Sequence, residues 1–371
     1  MPAPLQFTLE KTAGAARAGR LVLPHGQALT PTFMAVGTRG TVKACTTDQV
    51  VATGTRILLG NTFHLALKPG AERVSAAGGL HAFSRWPRAM LTDSGGYQVF
   101  SLADLREINE RGVVFKSPYD GSTEDLTPER SIQLQNLLGA DIIMAFDECA
   151  PYPADKKHVA RAVGRTGRWI RRCLEAHQRP DEQALFGIVQ GGVHPDLREE
   201  SARDLVSLDL LGYAIGGLSV GEGPEQMAAT LDVTCPLLPA EKPRYLMGVG
   251  KPIDIVNGVL RGVDMFDCAL PTRNARNGEV YLWPGRRLRL KHACFVDDHQ
   301  PIDPLCDCMT CAMGVQRSFL RHLLKTGEIA GLTYCTIHNL RFYQRLMDRL
   351  RRAILEGRLD AVAAEFLSET P

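Results

Sequence analysis

From residue 33 onward, short apolar runs alternate with longer segments of helical periodicity. Eight runs each end in glycine or polar residues: FMAVGTRG (33–40), RILLGNTFH (56–64), AMLTDSGG (89–96), DIIMAFDEC (141–149), LFGIVQGG (185–192), YAIGGLSVGE (213–222), RYLMGVGK (244–251) and VDMFDCALPTR (263–273). Between them, PERSIQLQNLLG (128–139), HVARAVGRTGRWIRRCLEAH (158–177) and IDIVNGVLRG (253–262) place apolar residues at helical spacing. Near-continuous apolar strands separated by helices predict a parallel sheet covered on both faces. Eight such units over about 240 residues predict a (β/α)8 TIM barrel. An open doubly wound sheet is the alternative. The first 30 residues read as short strands capping the barrel, 31–280 as the barrel, and 281–371 as an appended subdomain with C-terminal helices.

The barrel reading locates the chemistry, because active sites of this fold lie at the C-terminal ends of the strands. Those ends carry Asn61, His64, Asp93, Asp147, Gln190, Gly217 and Asp267. A single polar residue there often only caps the next helix. Convergence from six strands favours a site.

Composition narrows the setting. Of 371 residues, 44% are apolar and 23% charged, which excludes a disordered chain. No apolar run approaches the ~20 residues of a membrane span. The N-terminus lacks the apolar core of a secretory signal. A soluble, cytoplasmic protein is expected. The net charge of +2 names no polyanion partner, but its distribution is uneven. Residues 273–291 hold Arg273, Arg276, Arg286, Arg287, Arg289 and Lys291 against Glu279 alone. Residues 151–172 hold seven cations against Asp155, and 341–352 hold five arginines against Asp348. Such patches are either solvated helix faces or a nucleic-acid footprint.

Seven of the ten cysteines are scattered, as small buried residues are in a reducing compartment. Cys306, Cys308 and Cys311 form C-x-C-x-x-C, a density of soft thiolates that suits a tetrahedral Zn2+. Spacing leaves the fourth ligand open among His322, Cys335 and His338. A set of four protein ligands makes a structural site.

Asp93 and Asp267 each end an apolar strand. Asp93 precedes Ser94-Gly95-Gly96, where missing side chains admit a ligand to the backbone. Asp267 sits in Met-Phe-Asp-Cys, where an ionised carboxylate is costly without a purpose. Two carboxylates in one mouth suit chemistry at an anomeric carbon, one as nucleophile and one as acid/base. Gln190-Gly191-Gly192 and Gly216-Gly217-Leu218 read either as recognition of a flat polar ligand edge or as tight turns.

In order along the chain, GNTFHLALKPG, LTDSGGYQVFSL, AFDEC, GIVQGG, IGGLSVGE, LMGVGKP, DMFDCALPTRNARNG, the C-x-C-x-x-C cluster and TIHNL resemble the tRNA-guanine transglycosylases of bacterial type. The resemblance covers nearly the whole chain. It implies a homodimeric barrel enzyme with one structural zinc. It implies exchange of the wobble guanine of G-U-N anticodons for 7-aminomethyl-7-deazaguanine (preQ1), in queuosine biosynthesis. By the same resemblance Asp267 is the nucleophile and Asp93 the general acid/base. Asp147 reads the amino-amide edge of the base, Gln190 and the Gly217 amide its carbonyl, and the Leu218 carbonyl the aminomethyl group. Tyr97 and Met247 sandwich the ring, Arg273 and Arg276 contact anticodon nucleotides, and Cys306, Cys308, Cys311 and His338 hold the zinc. Ser219 departs from an alanine common at its place. The residues after Cys308 are less aromatic than usual.

Rival readings are a member using queuine or another base, a non-catalytic RNA-binding partner, and a retaining glycoside hydrolase. Tyr97, Cys149 and Val220 favour the bacterial pocket over the first. The pair Asp93 and Asp267 argues against the second. The glycine-rich pocket, metal cluster and basic patches argue against the third.

Overall fold

The computed structural model of the chain describes residues 3–97, 106–117 and 119–367. It opens with an antiparallel meander, β1 (Gln6–Ala13), β2 (Ala16–Leu23) and β3 (Gly26–Thr30). Eight parallel strands then close into a barrel: β4 (Thr32–Val36), β5 (Ile57–Gly60), β6 (Ala89–Thr92), β10 (Ile142–Met144), β11 (Ala184–Val189), β12 (Gly212–Ile215), β13 (Arg244–Leu246) and β14 (Met265–Cys268). All eight apolar runs form barrel strands, and closure comes from β14 pairing with β4. The open-sheet alternative is excluded.

The unbroken apolar runs conceal a two-residue period. Ile57, Leu59, Ala89, Leu91, Ile142, Met144, Phe186 and Ile188 fill the barrel interior. Their neighbours Leu58, Met90, Ile143, Leu185 and Val189 face the surrounding helices. Both faces being dry, neither can carry polar residues. The helices start on clear signals. Thr127 and Asp155 cap the helices Pro128–Leu138 and Lys156–Ala176, and proline opens those at Pro195, Pro224 and Pro252.

The N-terminal meander closes the bottom of the barrel. Leu5, Leu21, Leu23 and Ala28 join its interior core. Arg17 pairs with buried Asp264 at 3.2 Å, below β14, and His25 contacts Asp141 at 2.8 Å, below β10. With that end sealed, the opposite end is the mouth.

Two further sheets decorate the mouth side. β7 (Arg106–Ile108), β8 (Val113–Lys116) and β9 (Thr123–Leu126) form a small antiparallel sheet after β6. β15 (Glu279–Leu282) and β16 (Arg286–Arg289) form a hairpin after β14. The helix Ile329–Glu356 then links two cores. Its early residues Cys335 and Ile337 pack with the cysteine cluster, while Leu340, Phe342, Leu346 and Leu350 join the outer barrel core.

Candidate active site

Every predicted strand-end residue lies at the mouth. Asp93 follows β6, whose Thr92 pairs with Gly60 of β5, so Asn61 stands beside it. Asn61 Nδ2 donates to Asp93 Oδ2 at 2.6 Å and the Thr62 amide to Oδ1 at 2.9 Å. Asn61 also caps the helix Thr62–Leu67, its Oδ1 accepting from His64 N at 2.9 Å. Burial pushes the Asp93 carboxyl up to about 7, and the charge of Asp267 across the mouth adds to the rise.

Asp267 is the third residue of β14, next to β13. Tyr245 on β13 donates its hydroxyl to Asp267 Oδ1 at 2.6 Å, and the Gly248 amide donates to the same oxygen at 2.8 Å. Burial raises the Asp267 carboxyl as well, while these two donors favour its ionised form.

A second polar group lies at the ends of β10, β11 and β12. Gln190 Nε2 donates to Asp147 Oδ2 at 2.6 Å, and Ser94 Oγ lies 3.5 Å from Oδ1. Burial pushes Asp147 up to about 6. The glycine pair after β12 is required by space. A Cβ on Gly216 would lie 2.7 Å from Gln190 Nε2, and one on Gly217 2.6 Å from Gln190 Oε1. Gly217 also has φ +66°, a conformation open chiefly to glycine. Leu218 is buried, and Ser219 follows at φ +60° with its amide donating to Glu222 Oε1 at 2.5 Å. Tyr97 stands 52% exposed after β6, and Met247 is partly buried after β13. The mouth thus offers a carboxylate, a carboxamide and backbone amides to a flat polar edge, with two further carboxyls beside it.

Away from the mouth, Cys306, Cys308, Cys311 and His338 are buried with their four donor atoms within 4.8 Å of one another. His338 Nδ1 lies 3.3 Å from Cys311 Sγ and 3.7 Å from Cys308 Sγ. A tetrahedral ion at ordinary bond lengths puts S and N ligands about 3.6 Å apart. His338 Nε2 lies 2.7 Å from the Tyr281 carbonyl. A carbonyl only accepts, so Nε2 carries the proton and the Nδ1 lone pair faces the sulfurs. The donor set fits a metal ion. Of the three candidates for the fourth ligand, His338 joins the cluster. Cys335 packs one turn earlier on the same helix and His322 is exposed.

Comparison with known proteins decides the family. A family model described as queuine tRNA-ribosyltransferase matches residues 12–371. The chain belongs to the queuine tRNA-ribosyltransferase family. It is 55% identical over 368 residues to the queuine tRNA-ribosyltransferase of Moorella thermoacetica, covering 99% of this chain and 98% of that one. It is 54% identical over 354 residues to that of Acetivibrio thermocellus, covering 95% and 94%. It is 53% identical over 365 residues to that of Bacillus subtilis, covering 98% and 95%.

For a tRNA-ribosyltransferase family member, the three basic runs are of direct interest, and they prove unequal. On the helix Lys156–Ala176, Arg168 pairs with Glu110, Arg171 with Asp204 and Arg172 with Glu129, each at 2.6 Å. Lys156 pairs with Asp196 and Arg165 with Glu148. On the long helix, Arg341, Arg345, Arg349 and Arg351 pair with Asp307, Asp303, Glu365 and Glu10. Most of both runs is thus paired; among the described residues only Lys157, Arg161 and Arg352 make no carboxylate ion pair. In the run 273–291, Arg287 pairs with Glu279 at 2.8 Å. Among the described residues, Arg273, Arg276, Arg286, Arg289 and Lys291 make no carboxylate ion pair. Arg273 and Arg276 lie on the helix Leu270–Arg276, which starts three residues after Asp267, and Arg276 Nη1 is buried with no hydrogen-bond partner among the described residues.

Three site residues are not marked as such by the sequence. Tyr245 reads as one more apolar strand residue until its hydroxyl is seen on Asp267. Asn61 reads only as a strand-end residue, not as the partner of Asp93. Glu222, in the turn after Leu218, accepts from the amides of Ser219, Val220 and Gly221. The one signal for it is the run of glycines around a lone acid.

Proposed function

We propose that this protein is a tRNA-guanine transglycosylase of bacterial type. It exchanges the guanine at the wobble position of G-U-N anticodons for preQ1, the 7-aminomethyl-7-deazaguanine, as a step of queuosine biosynthesis. The observation that carries the chemistry is the unlike treatment of two carboxyls in one mouth. Asp93 is pushed up to about 7, where it can hold a proton, while Asp267 receives a hydroxyl and an amide donor on one oxygen.

In this reading Asp267 attacks the ribose C1′ as the C1′–N9 bond breaks. The bonding pair leaves with guanine, and Asp93 delivers the proton that neutralises it. The adduct is a ribosyl ester of Asp267. The incoming base surrenders its ring proton to Asp93 and attacks C1′, and the Asp267 carboxylate leaves. Two inversions retain configuration, and no ATP is consumed. Asp147 accepts from the amino-amide edge of the base, Gln190 and the Gly217 amide donate to its carbonyl, and the Leu218 carbonyl meets the aminomethyl group. Tyr97 and Met247 sandwich the ring. Arg273 and Arg276 contact the anticodon, whose target base leaves its stack more readily in a loop than in a duplex.

Zinc is the metal that Cys306, Cys308, Cys311 and His338 would hold, in a closed structural site. The enzyme acts in the cytoplasm, in line with ten cysteines outside any disulfide. It acts as a homodimer. The exposed apolar side chains of Leu305, Met309, Met313 and Phe319 offer surface for that contact.

The test is incorporation of labelled guanine into an unmodified G-U-N tRNA, with Asp267→Asn as control. Wild type should incorporate label and form a denaturation-resistant adduct with RNA, and the variant should do neither. An adduct in the folded variant would sink the assignment of the nucleophile.

A further inference from the structure

The strand order around the barrel divides the mouth into two arcs. From Asp267 on β14, one arc runs through β13, β12, β11 and β10, whose ends carry Met247, Gly217, Gln190 and Asp147. The other runs through β4 and β5 to Asp93 after β6. The loops of the second arc are cationic. Arg273 and Arg276 follow β14, and Arg39 and Lys43 follow β4. Arg39 and Lys43 are exposed, and among the described residues neither makes a carboxylate ion pair. On the two basic helices nine of the twelve cations are paired with carboxylates. Those of this arc stay unpaired.

Arg39 is nonetheless held in place. Its Nη2 donates to the Tyr119 hydroxyl at 3.0 Å, and its Cζ lies 5.7 Å from the centre of the Tyr119 ring. The same hydroxyl lies 2.9 Å from His64 Nδ1. Accepting from Arg39, it can donate to a neutral imidazole. Burial and the charges of Arg39 and Lys43 depress the His64 pKa, in keeping with that form. The His64 amide in turn bonds Asn61, which bonds Asp93. The fork is therefore tied to the helix that positions Asp93, and one contact leaves most of its five N–H donors for a ligand. Asp48 and Asp120, the acids closest in sequence to Lys43 and Tyr119, are both exposed.

We propose that Arg39, positioned by Tyr119 and His64 and assisted by Lys43, binds a backbone phosphate of a nucleotide flanking the exchanged base. RNA would then lie over the β14–β4–β5–β6 arc while the opposite arc reads the base. A planar guanidinium suits bidentate phosphate binding, and phosphate contacts set register without reading sequence. The inference rests on the tRNA reading above.

The experiment titrates an anticodon stem-loop RNA onto the full chain at several salt concentrations, in the Asp267→Asn background to prevent covalent capture. Removing one single-strand phosphate contact lowers the slope of log K against log salt by about 0.7, which at ~0.1 M salt is about five-fold in affinity. Arg39→Ala should show both changes and leave the affinity for free guanine unaltered. Arg39→Lys should keep the slope. Tyr119→Phe, losing the acceptor that holds Arg39, should weaken binding in the same direction by less. Unchanged affinity and slope in folded Arg39→Ala would overturn the proposal. So would a loss confined to one nucleotide identity at unchanged slope, which is a base contact. A change of mass in solution at unchanged slope would place Arg39 between two copies of the chain and overturn it too. Guanine incorporation by wild type is scored separately. If that fails, both readings fall; if it succeeds while Arg39→Ala binds like its parent, only this one does.

Discussion

Tyr245 donates its hydroxyl to Asp267 across 2.6 Å from inside the barrel. The ring is 1% exposed and packs with the interior core, so its position is fixed by apolar contacts rather than by the bond itself. Burial, reinforced by the charge of Asp267, lifts the phenol well above its ordinary pKa, which keeps it a donor. Gly248 N bonds the same oxygen. Among the described contacts Oδ2 is left open, and in the proposed exchange it is the oxygen that attacks.

Tyr245→Phe removes the donor and keeps the ring. A hydrogen bond to a charged group contributes about 1.5–3 kcal/mol, so adduct formation should slow by roughly 10- to 100-fold. The affinity for RNA should be unchanged, since Tyr245 is sealed beneath the carboxylate. Single-turnover kinetics beside equilibrium binding checks this. Equal losses in both would mean that the tyrosine supports the mouth as a whole rather than Asp267.

The pH dependence has a definite sign. In the proposed exchange Asp93 carries a proton when the glycosidic bond breaks, and burial pushes its carboxyl up to about 7. Adduct formation should therefore fall as pH rises above about 7. In the same proposal Asp147 is ionised to accept from the base, and burial pushes it up to about 6, so base affinity should fall below that. Asn61 donates to the ionised form of Asp93, so removing it raises the carboxyl further. Asn61→Ser keeps a helix cap but is too short to replace the amide. Its alkaline limb should move to higher pH, with stability within ~1 kcal/mol of wild type. A limb that stays in place would separate Asp93 from the first step.

Much of this is legible in the sequence because burial on both faces leaves a strand no polar positions. β11 (Ala184–Val189), six buried residues in a row, announces itself, and its polar follower Gln190 marks the mouth. β7 and β9 carry no such mark, because Arg106–Ile108 and Thr123–Leu126 are short and mostly charged or polar. The fourth metal ligand is undecidable by spacing. Cys335 and His338 lie nearly one turn apart on one helix, and only the fold, which brings His338 Nδ1 to the three sulfurs, selects His338. Charge misleads most. Arg168 and Arg172 look unopposed along the chain, yet Glu110 lies 58 residues from the first and Glu129 lies 43 from the second. Local charge counts cannot see such pairs.

Removing the metal should act on the subdomain before the mouth. The four ligands tie the loop 306–311 to the long helix, around the core of Leu290, Ile302 and Leu320. Chelation, or Cys308→Ala, should raise amide exchange over about 290–340 and weaken RNA binding, because a structural metal contributes folding energy directly. Binding of free guanine should change little. Elemental analysis should find about one zinc per chain. A metal-free protein with normal stability and RNA affinity would refute the structural role.

The unequal basic runs make the sharpest prediction. Arg273→Ala or Arg276→Ala should raise the KM for RNA and leave exchange of the free base in its pocket nearly unaltered. Arg168→Ala and Arg171→Ala, of equal charge, should leave KM alone, since each only uncovers a surface ion pair worth about 0–1 kcal/mol. There is a competing explanation for the first pair. Both arginines occupy the last turn of the helix Leu270–Arg276, where cations complement the helix dipole. That role would cost stability and spare KM. Arg276 speaks against it: Nη1 is buried with no hydrogen-bond partner among the described residues, and burial lowers its pKa. A buried donor left unbonded costs roughly 1–3 kcal/mol, which a bound nucleotide could return. Cognate and anticodon-altered stem-loops then separate the kinds of contact. A base contact relaxes preference at one position, and a phosphate contact weakens all RNAs alike with a shallower salt slope. At least one of the two should relax preference, because their helix follows the strand of Asp267 and, in the proposed function, the nucleotides flanking the target base pass over it. Wild-type KM and specificity in both variants, with lowered melting temperature, would return this run to a capped helix end.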